Sequence, residues 1–197
     1  MRSDGAVRKP LARLLLNKAA AGVIFAVAAL PALAQDPLFT NKLAPYVSSP
    51  VRVVDRMLDL AQIKPGETLY DLGCGDGRIL LAAVKRYQVK AVGVEISPKL
   101  AAKAQNAIAR AGLQSQARVI AGDLLNVDFS GADVVAIYLS TQLNSRLRPH
   151  LEQYLKPGAR VVSHDYPIPG WKAAKVDRTD GANSHVIYLY EIPAAKE

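Results

Sequence analysis

The stretch Leu69-Tyr-Asp-Leu-Gly-Cys-Gly-Asp-Gly77 limits what this chain can fold into more than any other. Thr68–Leu72 is a short apolar run suited to a buried strand, and Arg78–Tyr87 then repeats apolar residues at helical spacing. Three glycines, at 73, 75 and 77, alternate between the two. Without a Cβ, the backbone there can turn tightly and approach a nucleotide cofactor closely. Spacing then narrows the choice of cofactor. The dinucleotide fingerprint G-x-G-x-x-G needs glycine at position 78, where this chain has Arg78. The order here is D-x-G-x-G-x-G.

Strands and helices alternate on both sides of this loop. Ser49-Pro50 is placed to cap a helix running to about Gln62, with Val51, Val54, Met57, Leu58 and Ala61 along one side and Lys64-Pro-Gly66 as its stop. Further strands are predicted at 91–96, 117–121, 132–139 and 159–164, and further helices at 98–111 and 142–155. The last two strands, 173–178 and 184–192, flank an Asp-Gly turn and read as an antiparallel hairpin. The expected fold is therefore α/β and Rossmann-like. Its seven-stranded sheet is mostly parallel, with helices on both faces and the hairpin at its end. The domain is expected over 49–197, after a linker at 35–48 and a leader at 1–34.

Open α/β sheets bind ligands at the carboxyl ends of their strands, which selects the candidate site residues. Glu95 lies 22 residues after Gly73 and ends the second strand, where a carboxylate can accept two ribose hydroxyls. Asp123 follows the third strand and, taken alone, reads as a helix cap. Tyr138 and Ser140 end the fourth strand, and His164 and Asp165 end the fifth. Tyr138 is a candidate wall for an acceptor pocket or a core aromatic. His164 is a candidate proton acceptor or a hydrogen-bonded strand end. Trp171 would wall the pocket or cover the sheet edge. No Cys/His cluster stands out along the chain, so no metal is expected.

The D-x-G-x-G-x-G order resembles motif I of the S-adenosylmethionine-dependent methyltransferases. Pro45-Tyr-Val-Ser-Ser-Pro50, Asp71–Ile79, Val92-Gly-Val-Glu95, Ile137-Tyr-Leu139 and Arg160-Val-Val-Ser-His164 with Trp171 are similar to one protein-lysine methyltransferase family. Its members include mitochondrial enzymes acting on the ATP synthase c subunit and the adenine nucleotide translocase, and archaeal relatives. The resemblance spans roughly residues 44–172. It implies S-adenosyl-L-methionine held by Asp71, Gly73, Gly75, Gly77 and Glu95, with Asp123 against the adenine amino group and Tyr46 and Ser49 closing over the methionine end. It also implies a protein substrate, with Tyr138, Ser140 and His164 as the catalytic candidates. Methylation of a small molecule, or a cofactor-binding module without catalysis, remains an alternative on the same scaffold. No Asn-Pro-Pro-Tyr-like signature follows the fourth strand, which disfavours amino groups of bases or glutamine as acceptors.

Residues 1–34 hold five basic residues against Asp4, then the uncharged run Ala19–Leu30 and Pro31-Ala-Leu-Ala34. This fits a cleaved export signal ending before Gln35. An uncleaved membrane anchor and a mitochondrial-type presequence are the other readings. Export would place the protein in a periplasm or envelope; an unprocessed leader would leave it cytoplasmic. Beyond the leader stand 20 basic and 16 acidic residues, a net charge of +4. That is well short of a nucleic-acid footprint, so no nucleic-acid partner is expected. The lone cysteine, Cys74, excludes an intramolecular disulfide.

Overall fold

The computed structural model describes residues 46–180 and 183–196. The leader and most of the linker lie outside the described residues, as do the two residues that follow Asp180 in the hairpin turn. Among the described residues no helix is long and apolar enough to cross a membrane.

Helix α1 (Val51–Leu60) leads into β1 (Thr68–Leu72), α2 (Arg78–Tyr87), β2 (Lys90–Glu95), α3 (Pro98–Arg110) and β3 (Ala117–Ala121). A 3₁₀ turn (Leu124–Asn126) precedes β4 (Val134–Ile137), α4 (Thr141–Tyr154), β5 (Arg160–His164), β6 (Trp171–Lys172), β7 (Lys175–Arg178), β8 (Val186–Glu191) and β9 (Ala195–Lys196). The seven-stranded sheet runs β3-β2-β1-β4-β5-β8-β7. β1 to β5 are parallel to one another, whereas β8 is antiparallel to both β5 and β7. Every predicted strand and helix is present, with ends shifted by a few residues. The pairing of β6 with β9 was not predicted; two-residue strands carry too little pattern to be seen.

Successive residues of a strand face opposite sides of the sheet, and both sides here are buried. Leu69 of β1 and Val134 and Ala136 of β4 pack with Met57 and Leu58 of α1 and Leu80 and Val84 of α2. Tyr70 and Leu72 of β1 and Val135 and Ile137 of β4 pack instead with Leu143, Leu147 and Leu151 of α4. Burying each such leucine contributes about 1.5–3 kcal/mol, so the central strands cannot slip by one residue without exposing both sets.

Two expectations for α1 are corrected. Val51 is 70 % exposed, and the buried stripe runs instead through Val53, Val54, Met57, Leu58 and Ala61. Ser49 does not cap the helix. Pro50 holds the cap position without a side-chain bond, because Ser49 is turned toward β5. The chain reverses direction across the sheet between β1 and β4, and that switch point opens a crevice above their carboxyl ends.

Candidate active site

The glycine loop is shaped by its neighbours as well as by its own freedom. Gly75 has φ +55, and a Cβ on it would run into the Tyr46 ring. Tyr46 thus lies across the loop. The segment carrying it is held by Arg78, which donates to the Ser49 carbonyl at 2.7 Å and forks onto both oxygens of Asp76. Sequence reading used Arg78 only to exclude a dinucleotide; its structural role is to fasten residues 46–49 over the loop.

Glu95 lies at the floor of the crevice, 7 % exposed. Its Oε2 accepts from the Gly75 N–H at 2.9 Å and its Oε1 from the Ser97 N–H at 2.8 Å. A carboxylate offers about four lone-pair positions, so two remain for the vicinal hydroxyls of a ribose. Asp123 both caps and lines: its Oδ1 accepts from the Leu125 N–H at 3.0 Å, and the residue forms part of the crevice wall. The crevice is a cleft open to solvent on one side. Gly73, Leu100, Leu125, Leu139 and Leu143 supply its apolar walls. That lining, a carboxylate floor between apolar walls, suits a nucleoside cofactor.

Asp71 is 2 % exposed, and its Oδ2 has no hydrogen-bond partner. Burial, with Glu95 and Asp76 nearby, pushes its pKa up to about 8. An orphaned acid beneath a glycine loop fits a cofactor that brings positive charge, as the sulfonium and ammonium of S-adenosylmethionine do. In the unfolded chain an aspartate titrates near 4, so between about pH 4 and 8 the folded protein retains a proton that the unfolded chain has lost. This contribution to stability is complete below the unfolded value, erodes as pH rises through the window, and levels off above about pH 8. His164 changes stability in the opposite sense at lower pH, so comparison with a variant isolates Asp71. Asp71→Asn should raise the Tm of the cofactor-free protein more at pH 8 than at pH 5. Equal shifts at the two values, measured by calorimetry, would remove the assignment.

A polar cluster stands at the acceptor side of the crevice. Tyr138 lines the crevice, and its ring packs on His164 with centroids 3.8 Å apart. Its hydroxyl donates to Asp165 Oδ2 at 3.4 Å. His164 is fully buried. Its Nδ1 lies 2.9 Å from Ser49 Oγ and its Nε2 2.9 Å from His185 Nδ1. Burial pushes the His164 pKa down to about 4, with His185 adding to the fall and Asp165 opposing it. Burial pulls Asp165 upward, but hydrogen bonds from His185 and the Val186 N–H outweigh it and hold the carboxyl below its usual range. Desolvation raises the Tyr138 hydroxyl, helped by Asp165, so it stays protonated at neutral pH.

The sequence candidates therefore separate. Gly73, Glu95, Asp123, Tyr46 and Tyr138 line one crevice, with Gly75 and Gly77 shaping the loop beside it. Ser49 departs from its expected place over the cofactor: it is 4 % exposed and bonded to His164. Ser140 caps α4, its Oγ accepting from the Leu143 N–H at 3.3 Å. With no exposed surface, His164 can reach an acceptor only through Tyr138 or Asp165. Trp171 is 2 % exposed and packs on Tyr190 while donating to Glu152, so it covers the sheet and is not among the residues lining the crevice. His185 was missed. Its only sequence signal was its place at the foot of β8, whose antiparallel register brings it beside His164-Asp165.

The strand order, the glycine loop and the carboxylate ending β2 define a Rossmann-like methyltransferase that uses S-adenosyl-L-methionine. Residues 71–175 match the family described as the ANTKMT methyltransferase domain, and the chain belongs to that family. It is 45% identical over 150 residues to the protein-lysine N-methyltransferase of Saccharolobus islandicus (strain REY15A), covering 75% of this chain and 93% of that protein. It is 33% identical over 188 residues to the adenine nucleotide translocase lysine N-methyltransferase of Mus musculus, covering 93% and 80% respectively. Among solved structures, an RNA methyltransferase from Salinibacter ruber with S-adenosyl-L-homocysteine bound is 40% identical and superposes with a TM-score of 0.70, over 74% of this chain and 94% of that one.

Proposed function

We propose that the protein transfers the methyl group of S-adenosyl-L-methionine to the side-chain amine of a lysine in a protein substrate. The observation that carries this reading is Tyr138, set on the crevice wall at the carboxyl end of β4 with its hydroxyl donating to Asp165. A sulfonium carries its own activation, so the enzyme's task is to align a neutral nucleophile with the methyl group. An aromatic ring packs against the aliphatic stem of a lysine. A hydroxyl whose proton is committed to Asp165 presents its free lone pairs to an amine N–H, which turns the nitrogen lone pair toward the sulfonium. Glu95 and the glycine loop hold the cofactor, and Tyr46 covers it. The names borne by the Saccharolobus and mouse relatives support the same acceptor.

The Salinibacter relative, named as an RNA methyltransferase, supports a second reading with a nucleic-acid acceptor. The modest net charge of +4 beyond the leader and the sequence Tyr138-Leu-Ser140 after β4 favour protein. One assay separates the two. Purified protein is incubated with cell extract and methyl-labelled cofactor, and the product is divided between protease and ribonuclease. The expected label is destroyed by protease alone and maps to lysine. Label that vanishes with ribonuclease, or maps to another side chain, would refute the lysine reading.

A further inference from the structure

Three atoms meet beside Tyr138 in a way that hydrogen bonding alone leaves unsatisfied. His164 Nε2 and His185 Nδ1 are 2.9 Å apart, His185 Nδ1 and Asp165 Oδ2 are 2.9 Å apart, and His164 Nε2 and Asp165 Oδ2 are 3.2 Å apart. The two hydrogen-bonded edges both end on His185 Nδ1, and each needs a proton between its two atoms. A ring nitrogen carries one proton and aims it in one direction. If both nitrogens are protonated and aimed at the carboxylate, the histidines face each other N–H to N–H. If only one is protonated, an edge is left with two lone pairs opposed. A divalent cation above the triangle satisfies all three atoms together. Ligands at about 2.1 Å from a metal stand roughly 3.0 Å apart in octahedral geometry and roughly 3.4 Å apart in tetrahedral geometry. Two of the observed edges, at 2.9 Å, lie just under the octahedral spacing, and the third, at 3.2 Å, lies between the two.

The backbone is bent to make this convergence. Consecutive strand residues face opposite sides of a sheet, so His164 and Asp165 would ordinarily diverge. Asp165 instead adopts φ +58, a left-handed conformation uncommon outside glycine, and its carboxylate returns to the His164 side. It is held there twice by Val186: its N–H donates to the Val186 carbonyl at 2.7 Å, and its Oδ1 accepts from the Val186 N–H at 2.9 Å. Oδ2 is thereby left toward the triangle. His164 is also fixed from behind through its other ring nitrogen, as metal-bound histidines characteristically are. Ser49 Oγ lies 2.9 Å from His164 Nδ1. The His185 backbone is bracketed by Thr179, donating to its Oγ1 at 2.8 Å and accepting from its N–H at 2.9 Å. The His164 side chain is sealed, whereas those of Asp165 and His185 are 26% and 20% exposed. The cluster therefore has a closed back and an open front.

We propose that His164, Asp165 and His185 form a binding site for one divalent first-row transition cation of the kind that favours imidazole, such as Zn²⁺, with water completing its coordination. Occupied, the site would tie the end of β5 to the hairpin and, through Ser49, to the segment that lies over the cofactor loop. It stands whether or not lysine is the acceptor, because its test reads metal.

Tag-free full-length protein, stripped with chelator, is titrated with Co²⁺ and followed by the visible absorption of the bound ion; Zn²⁺ is then added as competitor. One equivalent of Co²⁺ should bind and be displaced by Zn²⁺. Asp165→Asn and His185→Ala should each weaken binding by at least about a hundredfold, and Ser49→Ala by about tenfold, the scale of an outer partner. His150→Ala, which removes the remaining histidine, should leave the titration unchanged. Cofactor binding checks that each variant is folded. Crystals grown with Zn²⁺ and recorded at its absorption edge locate the ion without any variant. Substoichiometric binding, binding that survives in folded His185→Ala, or anomalous density elsewhere would overturn the proposal and leave an adventitious ion only.

Discussion

Replacing Tyr138 by alanine should lower turnover by at least about a hundredfold, close to 2.7 kcal/mol of transition-state stabilisation, while cofactor affinity stays within about threefold. The asymmetry follows from where the contacts lie. In the proposed arrangement the loop after β1, Glu95 after β2 and Asp123 after β3 would hold the cofactor, while Tyr138 lines the same crevice on the acceptor side. Alanine would remove the surface against which a lysine stem packs and the hydroxyl that orients its amine, and misplaced reacting groups lose rate steeply. It would also uncover the His164 ring, so folding must be checked by thermal melting. Phenylalanine separates the two contributions. It keeps the packing on His164 and removes only the bond to Asp165, so it should fall between wild type and alanine. Cofactor affinity is measured by calorimetry and turnover by transfer of labelled methyl. Wild-type turnover in the alanine variant would mean that the acceptor enters elsewhere.

The fold was legible because its period is simple. Buried strands of four to six residues, each followed by an amphipathic helix, leave few alternatives to a parallel sheet. The glycine loop was legible for a comparable reason: three alternate glycines between a strand and a helix have few uses. Single polar residues were harder to read. Ser49 had the form of a helix cap, but its hydroxyl is taken by His164, 115 residues away in sequence, and local pattern cannot register such a partner. Ser140 was read as catalytic from its place at a strand end, yet the next residue begins a helix whose first turn needs an acceptor. Trp171 was left open between two roles, and its burial against Tyr190 depends on strands too short to predict. His185 shows the same limit from the other side. His164 and Asp165 were marked as candidates, but their third neighbour arrives through antiparallel pairing of β8 with β5, and that register places His185 next to them only in three dimensions.

Glu95→Ala should cost at least about a hundredfold in affinity for S-adenosyl-L-methionine. Hydrogen bonds to a charged group contribute about 1.5–3 kcal/mol each, so losing two ribose hydroxyl contacts removes about 3–6 kcal/mol, or roughly two to four powers of ten in Kd. A second loss is particular to this structure. The Glu95 carboxylate also accepts from the Gly75 and Ser97 N–H groups, so it joins the middle of the glycine loop to the start of α3. Without it the Gly75 N–H is left unpaired in a buried position, at a cost of about 1–3 kcal/mol, and the loop that must approach the cofactor loses its tether. The variant should therefore melt several degrees lower as well as bind weakly. Glu95→Gln keeps one acceptor oxygen but turns an amide N–H toward a site that needs an acceptor. It should recover part of the stability and little of the affinity. Calorimetry and thermal melting on the same samples separate the two effects. A folded Glu95→Ala protein that binds cofactor within threefold of wild type would show that the ribose lies elsewhere in the crevice.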